Sequence, residues 1–576
     1  HYRSIVDDSG REISIDYANN GPQTWWSTRR DRITTQGPNG PMSWTVDWET
    51  LFIGQDQRTY QWSQAEWDPT RPLNFSLLTV KNVQLPLAAA VPLGQTPVVW
   101  NSYEFGYSDD DDDGFGQVDL VRTPSGSTYL YRYVLEGLTG LTANDIANYN
   151  GVSQRKLIHD GEELTWKYEK RAGQDRTIVT GPDESKTTYW TIPPPQYING
   201  QAGVWTNKLV YRIDEPNGTV RKRVWAPNYA RGEIGEGQGF NRNEVNAYIQ
   251  RETTTVGNAV GVPTLTTVTE KTIDKNSNLL QTIEYDWVPY DPAGPEVGVA
   301  VKRTTKNTYY ADVPAATNSV SVPDDPESYW SSHFSPLQPA QPRRLNALRR
   351  KEIRDSADAI VAVTEFDYDD AYRSGNLTAE KRWDSVKSPA PPGPGTLNPG
   401  NSQVLTRSYG AYGNLEDIFE PQVPTHITYD SSGSFPEQVI YALGTSAQRS
   451  WRYEWNQTAG TLTSKKDLDN DIVTLYSYDV VGRPRTVIEA GVRKTETHYD
   501  DENRKITVRK DLFSLGDGKL ELTTEYDSLG RPTLTRNSEP GNSDGINVQS
   551  LYNVEANRTV QSSPYRPTAD PTLEWT

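Results

Sequence analysis

The chain has 576 residues and a net charge of −18 at pH 7, which argues against a nucleic-acid partner because phosphate backbones attract basic surfaces. It contains no cysteine, which excludes disulfides, thiolate catalysis and cysteine-ligated zinc, and no apolar stretch approaches the length of a membrane-spanning helix. Its 17 Trp, 33 Tyr and 10 Phe supply the apolar surface that a hydrophobic fraction of 34% would otherwise lack.

Residues 1–265 alternate short strand-like runs with turns rich in Gly, Pro, Asn and Asp, as in Asn39-Gly40-Pro41 and Pro216-Asn217-Gly218. Such runs, bounded by turn residues, are typical of antiparallel β-hairpins. We therefore interpret residues 1–265 as one irregular, β-rich region.

An acidic run stands out in this region, since residues 109–113 are all Asp and are followed by Gly114. Calcium takes six to eight oxygen ligands from a tightly turning loop, and carboxylates at alternate positions before a glycine supply them. The pattern predicts a Ca²⁺ site formed by Asp109, Asp111, Asp113 and Asp119. The alternative is an acidic hairpin loop with no metal. No other cofactor is predicted.

Catalytic signals are sparse. The five histidines are isolated, with no two within six residues of each other, so the local His-x-x-x-His pattern of a zinc site is absent.

Aromatic side chains stack on sugars in some proteins, although a strand tryptophan more often packs against its neighbours. The tryptophans considered for sugar stacking are Trp25, Trp26, Trp62, Trp67, Trp190, Trp205 and Trp225.

Residues 266–400 continue the strand-like pattern but contain two proline-rich tracts, at 313–342 and 388–400. Proline fixes an extended backbone and cannot donate a hydrogen bond to a sheet. The tracts are predicted to be extended insertions between β repeats.

Residues 401–576 contain a regular repeat, in which Tyr478-Asp479-Val480-Val481-Gly482-Arg483-Pro484 and Tyr526-Asp527-Ser528-Leu529-Gly530-Arg531-Pro532 are nearly identical. An Asp that opens a turn accepts backbone hydrogen bonds from residues ahead of it, and Gly at its fourth position supplies a positive φ. In the degenerate copy that begins at Asp500, Asn503 stands where the glycine is expected. Tyrosines recur in register every 20 to 27 residues, at Tyr409, Tyr429, Tyr453, Tyr478, Tyr499, Tyr526 and Tyr552.

This repeat resembles the YD-repeat, or Rhs-repeat, family of secreted bacterial proteins, whose animal relatives include the teneurins. The blocks at 478–483 and 526–531 carry the resemblance, and the segments 2–17, 116–133, 181–189, 273–285 and 353–368 are weaker copies. The resemblance implies an all-β fold of repeated antiparallel hairpins. These would form a spiralling β-ribbon that serves as a shell, tube or filament segment.

The resemblance also implies a function: a non-enzymatic structural protein, secreted or at the bacterial cell surface, which forms an encapsulating shell or an extracellular fibre or adhesion component. The tyrosines would then pack between successive ribbons and the aspartates would cap turns. Expected partners are other repeats of the same or a neighbouring chain, an enclosed C-terminal polypeptide, or surface glycans. Two alternatives remain: a carbohydrate-binding adhesin with a calcium-stabilised loop, and a polysaccharide-active enzyme.

Both ends of the sequence lie in mid-repeat, because residues 1–6 enter a turn and residues 573–576 look like a strand entering another unit. A continuous repeat array has no fixed length, since each unit contacts only its neighbours. We therefore expect the array to continue beyond the C-terminus.

Overall fold

The structure is a computed structural model. It describes residues 4–6, 11–17, 29–52, 76–87, 89, 91–92, 95, 97–107, 117–133, 151–170, 175–192, 209–226, 247–258, 261–274, 277–292, 300–310, 347–369, 375–420, 423–540, 544–552, 558–568 and 574–575.

The described residues form 36 β-strands and one short 3₁₀ helix, Val99–Asn101, and no α-helix. The strands up to residue 226 are β1 Ser4–Val6, β2 Glu12–Tyr17, β3 Arg29–Gly37, β4 Gly40–Phe52, β5 Ser76–Gln84, β6 Ser102–Tyr107, β7 Val118–Arg122, β8 Thr128–Arg132, β9 Gln154–His159, β10 Glu162–Lys170, β11 Arg176–Thr180, β12 Lys186–Thr191, β13 Val210–Asp214 and β14 Val220–Ala226. The next are β15 Tyr248–Gly257, β16 Pro263–Ile273, β17 Leu279–Tyr285, β18 Val288–Pro289, β19 Val301–Tyr309, β20 Leu348–Arg354, β21 Ile360–Tyr368 and β22 Leu377–Trp383. The last are β23 Ser402–Tyr409, β24 Leu415–Phe419, β25 Thr425–Tyr429, β26 Pro436–Tyr441, β27 Arg449–Asn456, β28 Thr461–Asp467, β29 Ile472–Tyr478, β30 Pro484–Glu489, β31 Arg493–Asp500, β32 Lys505–Lys510, β33 Leu520–Tyr526, β34 Pro532–Ser538, β35 Ile546–Tyr552 and β36 Arg558–Gln561.

The strands form one antiparallel ribbon in which each strand pairs with its neighbours in sequence. In the repeat region, for example, β29 pairs with β28 through Ser464 and Leu475, and with β30 through Leu475 and Ile488. The one departure from this strand order among the described residues is β18, which pairs with β16 as β17 does, so β17 and β18 occupy one row. The all-β hairpin ribbon expected from the sequence is confirmed.

Five of the seven repeat tyrosines, Tyr409, Tyr429, Tyr478, Tyr526 and Tyr552, occupy one recurring backbone position. The pairing register shifts between Ser477 and Tyr478, and again between Glu525 and Tyr526. Such a shift marks a β-bulge, which bends the strand and increases its twist. The same shift occurs at Tyr107, Tyr285, Tyr309, Tyr368, Tyr409, Tyr429, Trp455 and Tyr552. Each repeat from Tyr409 to Tyr552 except that of Tyr499, which pairs in regular register with Ile506, therefore adds a bend just before its turn.

The ribbon is a thin layer with little buried core. Most strand residues in it are half-buried on both faces, because neighbouring side chains along each face shield one another. The buried hydrophobic side chains among the described residues are few: Leu157, Leu164, Val268, Val363, Ala379, Leu397, Phe435 and Ala442. Stability therefore comes from strand pairing and from contacts between neighbouring side chains, with little contribution from a central core.

The proline-rich tract 388–400 connects β22 to β23 in sequence and contacts β20 and β21. The buried Arg350 donates to the carbonyl of Pro392 at 2.9 Å and to Glu365 at 2.6 Å, and Glu365 accepts the N–H of Gly395 at 2.7 Å. An ion pair fixes a backbone segment in this way only when its remaining donors and acceptors are satisfied. The tract at 313–342 lies outside the described residues. Nowhere in the described ranges is a helix long and apolar enough to cross a membrane.

Candidate functional site

Five of the seven repeat tyrosines hydrogen-bond to the strand before their own. Tyr478 ends β29, and its hydroxyl donates to the carbonyl of Leu462 at 2.8 Å, near the start of β28. Burial raises the pKa of the Tyr478 phenol. Equivalent bonds join Tyr409 to Leu377, Tyr429 to Leu415, Tyr499 to Pro484, Tyr552 to Pro532 and the Trp455 indole to Pro436. These hydroxyl bonds lie within one ribbon, whereas the tyrosines were expected to pack between successive ribbons.

The repeat aspartates close the turns as the sequence predicts. The carboxylate of Asp527 accepts the N–H groups of Leu529 at 3.0 Å and Arg531 at 2.8 Å, and the guanidinium of Arg531 at 2.6 Å. Gly530 has a φ of 78°, which side chains rarely tolerate. Asp479 accepts the equivalent bonds from Val481 and Arg483, and Gly482 has a φ of 88°.

The arginine of both Tyr-Asp-x-x-Gly-Arg blocks contacts the next hairpin. Arg483 forms a two-bond ion pair with Asp501 of the next hairpin, at 2.7 and 3.0 Å, and lies 4.0 Å from the centre of the Tyr499 ring. Arg531 stacks in the same manner on Tyr552, at 4.5 Å. Planar guanidinium groups combine both contacts, which lysine does not. The Tyr-Asp-x-x-Gly-Arg sequence is therefore a structural unit.

The degenerate turn after β31 differs from the prediction. The residue with positive φ is Arg504, at 53°, and not Asn503. Asn503 instead binds the carboxylate of Asp500 through its backbone and side-chain N–H groups, at 3.1 and 3.0 Å. A left-handed conformation costs an arginine about 1 kcal/mol or more, and such positions are often retained where the side chain has another role.

That role is a contact with a distant part of the chain. Arg504 donates to the carbonyl of Ser125 at 2.9 Å and forms an ion pair with Asp160 at 3.0 Å. Asp160 also accepts the backbone N–H of Ser528, at 2.9 Å. These partners are separated from Arg504 and Ser528 by more than 300 residues in sequence. The ribbon therefore returns to contact itself, and we call this contact line the seam.

Two serines lie at the centre of the seam. Ser127, in the turn after β7, donates to the carbonyl of Ser528 at 2.8 Å, and the two hydroxyl oxygens are 3.0 Å apart. Both residues are only 1% exposed. A buried hydroxyl must be hydrogen-bonded, because the loss of its water partners is otherwise uncompensated. The short serine side chains allow the two turns to approach closely.

The seam extends along several hairpins. Asn39, in the turn after β3, donates to the carbonyl of Tyr478 at 2.8 Å. Arg11, before β2, lies 5.5 Å from the centre of the Phe435 ring. A Cβ on Gly460 would lie 2.7 Å from the Arg11 guanidinium, so a side chain there would displace the end of Arg11. The early turns thus meet the late turns in the same order along the chain.

Opposite edges of the ribbon meet at the seam. In an antiparallel ribbon the turns alternate between two edges, so the turns after β1, β3, β7 and β9 share one edge, which we call the first edge. β17 and β18 lie in one row and count as a single strand in this alternation, so after them the odd-numbered strands end at the other edge. The turns after β25, β27, β29, β31 and β33 therefore lie on the opposite edge, which we call the second edge. The turn after β3 meets the turn after β29, and the turn after β7 meets the turn after β33. A ribbon whose first edge contacts its own second edge is coiled.

The predicted calcium ligands are only partly described. Asp109, Asp111 and Asp113 lie outside the described residues. Asp119 lies in β7, where its carboxylate faces Gly106 of β6, since a Cβ there would lie 2.7 Å from it. The pKa of Tyr133 is raised by burial first, then by the charges of Tyr131 and Asp119. Among the described residues no three acidic or histidine side chains are grouped in a way that would hold a metal. The calcium site stays a prediction.

The two described tryptophans among the sugar-stacking candidates are engaged in packing. The Trp190 indole donates to Asp214 at 2.9 Å, and the guanidinium groups of Arg176 and Arg212 lie 5.4 and 5.9 Å from its ring centre. Trp225 donates to the carbonyl of Val210 at 2.9 Å. Trp25, Trp26, Trp62, Trp67 and Trp205 lie outside the described residues.

Sequence reasoning missed one polar cluster, in which a histidine meets a carboxylate across strands. Ser408, Asp417 and His426 stand side by side on β23, β24 and β25. Ser408 donates to Asp417 at 2.6 Å, and the Nδ1 atom of His426 lies 2.6 Å from the same carboxylate. Since the single hydroxyl proton of Ser408 is directed at Asp417, this arrangement does not activate the serine as hydrolase triads do. Only the strand register reveals it.

No protein-family model matches the sequence, and no curated protein matches it. Three solved structures illustrate the available similarity. The Tc holotoxin pore of Photorhabdus luminescens, in a TccC3 mutant form, gives a TM-score of 0.39 at 12% identity over 98% of this chain and 26% of that chain. The TcdB2-TccC3-Cdc42 structure gives 0.37 at 11% identity, over 98% and 27%.

A third structure, TcdB2-TccC3 without its hypervariable C-terminal region, gives a TM-score of 0.35 at 12% identity over 98% of this chain and 27% of that chain. The present chain thus spans about a quarter of the length of each of these chains. TM-scores this low carry no argument about function. The fold is therefore assigned from this chain's own strand pairing.

Proposed function

We propose that the chain is a non-enzymatic structural segment of a secreted or cell-surface bacterial shell, in which the ribbon coils around an enclosed space. The observation that carries the proposal is the seam, where Ser127 and Ser528 meet across about 400 residues of sequence. A ribbon whose two edges join in this way surrounds a space, because the rows between the two contact points must go around it.

The seam sets the scale of the coil. Between the turn after β3 and the turn after β29 the chain forms 26 strands, β4 to β29. These strands form 25 rows, because β17 and β18 lie in one row. At a strand spacing of about 4.8 Å, 25 rows give a perimeter of about 120 Å and a width of about 38 Å for a round coil. A coil this wide leaves room for a polypeptide segment inside it.

The residues most typical of the repeat have structural roles. Tyr478, Asp479 and Arg483 hold strands and turns together within the ribbon. Side chains that are fully engaged in such bonds are poor candidates for catalysis, since a catalytic group must be free to contact a substrate. Because the coil is built from repeats and leaves an enclosed space, we propose further repeat coils and an enclosed polypeptide as partners.

An engineered disulfide tests the coil. The chain has no cysteine, so Ser127→Cys with Ser528→Cys introduces a single pair, whose parent hydroxyl oxygens are 3.0 Å apart. If the coil exists, oxidation links residues 127 and 528, and the non-reduced chain migrates as a compact species on denaturing gels. A matched control, Ser127→Cys with Ser432→Cys, places the second thiol in a turn that meets another part of the first edge.

The shell interpretation fails if the 127–528 pair stays reduced within one chain, or if the 127–432 pair oxidises equally well. Small-angle scattering then tests the enclosed space, since a hollow particle and an extended ribbon of the same mass have different distance distributions. A glycan array supplies the remaining comparison. Binding without turnover favours the adhesin, and release of product favours the enzyme.

A further inference from the structure

One face of the ribbon carries most of its buried polar strand residues. Directly paired residues lie on the same face of a sheet, so following the pairings from β3 to β35 assigns the strand residues to faces. We call the face that carries Arg30 and Arg350 the polar face. Its buried polar side chains include Thr45, Asn82, Thr253, Thr304, Ser464 and Thr523.

The polar face is the concave face of the ribbon. On the opposite face, the buried polar strand residues within the described ranges are Asp31, His159 and Thr425. Side chains converge on the concave side of a curved sheet and shield one another there, whereas they spread apart on the convex side. The polar face therefore faces inward in the coil.

A segment between β5 and β6 lies on the polar face, where side chains of the ribbon hold its backbone. Arg30 of β3 forms a two-bond ion pair with Asp47 of β4, at 2.5 and 2.8 Å, and also donates to the carbonyl of Val91. Gln84 of β5 accepts the N–H of Val91 at 3.1 Å. We call this arrangement the first clamp.

The proline-rich tract 388–400 is held on the same face by an equivalent arrangement, the second clamp. Arg350 of β20 pairs with Glu365 of β21 and donates to the carbonyl of Pro392, and Glu365 accepts the N–H of Gly395. In both clamps an arginine is paired with a carboxylate on the next strand, and the held segment contributes one carbonyl and one N–H. Since these are main-chain groups, the clamps place little demand on the side chains of the segment.

A third arginine–carboxylate pair of this kind has no segment over it. Arg509 of β32 lies opposite Glu521 of β33 on the polar face, and its Nε donates to Glu521 at 2.8 Å. The Arg509 side chain is 55% exposed, whereas those of Arg30 and Arg350 are 15% and 5% exposed. The Nη groups bind the segment carbonyls in the two clamps, but those of Arg509 meet no acceptor in the part of the chain that the structure describes.

The Arg509–Glu521 pair borders a hollow of about 410 Å³, lined by residues of β30 to β34. Thr507 and Thr523 pair directly with each other and form its floor, and Lys505 and Glu525 line it two residues further along the same strands. The two rows of charged side chains are thus about 13 Å apart. The track between them crosses the strands, as both clamped segments do, and its volume is in the range of ligand pockets.

One other arginine–carboxylate pair on the polar face has the same strand order, Arg251 of β15 with Glu270 of β16. The hydroxyl of Tyr285 donates to this carboxylate at 3.1 Å. That bond occupies the carboxylate from the ribbon itself. The Arg509–Glu521 pair is therefore the better candidate for a ligand.

We propose that Arg509 and Glu521 form a third clamp, which binds the main chain of an extended polypeptide segment. The Nη groups of Arg509 donate to a carbonyl of the segment, and Glu521 accepts an N–H within three residues of it, as in the second clamp. Main-chain bonds of this kind give affinity with little dependence on sequence. The two filled clamps bind amide groups, which favours a polypeptide over a glycan. The inference rests on the proposed function, because the occupant is the polypeptide that the coil encloses.

A peptide with the sequence of residues 388–400 is the probe, because the second clamp holds this segment and that clamp is already filled in the chain. Fluorescence anisotropy of the labelled peptide is measured against the whole chain. We expect saturable binding, which Arg509→Ala and Glu521→Ala each weaken about tenfold, the effect of losing one hydrogen bond to a charged group.

Arg303→Ala is the matched control. Arg303 lies opposite Glu284, pairs with it and is 52% exposed, but both residues are on the other face of the ribbon. Arg303→Ala is expected to leave the affinity for the peptide unchanged. Folding of each variant is checked by far-ultraviolet circular dichroism.

Methylation of single peptide nitrogens tests whether main-chain groups are bound. In the second clamp the N–H of Gly395 is donated to Glu365, so the peptide with an N-methyl group at that glycine is expected to bind about tenfold more weakly. The same change should have no effect on binding to Glu521→Ala. A peptide methylated at Gly393 is the control, since the N–H of Gly393 donates to no described acceptor.

Three outcomes overturn the proposal: no saturable binding, binding that both Arg509→Ala and Glu521→Ala leave unchanged, and equal binding of the two methylated peptides. A neutral oligosaccharide that binds in place of the peptide, and is lost in the same variants, would assign the hollow to a glycan instead. The 127–528 disulfide is formed in the same preparation. If it forms and the peptide does not bind, the coil stands and the third clamp fails. If the peptide binds as expected and the disulfide does not form, the third clamp stands and the enclosing coil fails.

Discussion

The Arg504 side chain is expected to stabilise the seam by about 1.5 kcal/mol. A hydrogen bond from a charged donor is worth about 1.5–3 kcal/mol when buried. Arg504 is 35% exposed, so its bond to the carbonyl of Ser125 is expected to contribute about 1 kcal/mol. The half-exposed ion pair with Asp160 adds about 0.5 kcal/mol. Arg504→Ala should therefore favour opening of the seam about tenfold.

The left-handed backbone at Arg504, with φ 53°, lies in a local turn that is present whether the seam is open or closed. Glycine removes about 1 kcal/mol of strain from that turn in both states. Arg504→Gly is therefore expected to favour opening of the seam about tenfold, as Arg504→Ala does. A double-mutant cycle with Asp160→Ala isolates the ion pair, whose coupling energy should be about 0.5 kcal/mol.

A chain of this size does not unfold in one step, so the assay must report on the seam locally. In the Ser127→Cys, Ser528→Cys background, the equilibrium between the thiols and a glutathione buffer gives the effective concentration of one thiol at the other. A tenfold change in that equilibrium constant corresponds to 1.4 kcal/mol. If Arg504→Ala leaves that equilibrium constant unchanged, the assigned role of Arg504 is wrong.

Four further predictions concern the repeats. Asp527→Ala, which removes three accepted hydrogen bonds, should destabilise its turn by about 1–2 kcal/mol, measured by hydrogen exchange of the Gly530 amide with Asp544→Ala as control. Tyr478→Phe removes only the bond to Leu462 and should cost about 1 kcal/mol in the same assay. Unchanged protection of the turn amides would show that this bond does not hold β29 to β28. Burial acts to raise the pKa of Asp430, but hydrogen bonds from Phe435, Ser432 and Ser434 hold it below its usual value. Because the pKa of Asp430 is lower in the folded state, the stabilisation is present above about pH 4 and is lost as the pH falls through the folded pKa. The melting temperature of Asp430→Asn should therefore fall less between neutral and acid pH than that of the unmodified chain. Millimolar calcium should raise the melting temperature if Asp109, Asp111, Asp113 and Asp119 bind it. Identical melting curves in calcium and in EDTA would refute the site.

Local physics accounts for what the sequence predicted correctly. Tyr478 to Pro484 defines its turn through Asp479 and Gly482, whose bonds and φ depend only on residues a few positions away. The antiparallel ribbon follows for the same reason, since hairpins pair residues that are close in sequence. The turn that begins at Asp500 shows the limit, because Asn503 was expected at the left-handed position and Arg504 occupies it.

Side-chain partners across strands depended on register, which a single sequence specifies only weakly. Asp417 and His426 are nine residues apart and look unrelated, yet the pairing of β24 with β25 places them opposite each other. Tyr478 is likewise bonded to Leu462, in the strand before its own. A bulge at most of the repeat tyrosines, such as Tyr478 and Tyr526, moves the register by one residue, so that counting alternate positions fails there.

Interactions among residues a few positions apart fix the hairpins, their turns and the β-ribbon, so these features can be predicted from the amino-acid sequence. The coiling of the ribbon, and the contact of Ser127, Asp160, Arg504 and Ser528, are visible only in the three-dimensional structure. Coiling is the sum of small bends and twists over about 25 rows. An error of a few degrees in each row would place the two edges far apart, so no local pattern specifies which turns meet at the seam.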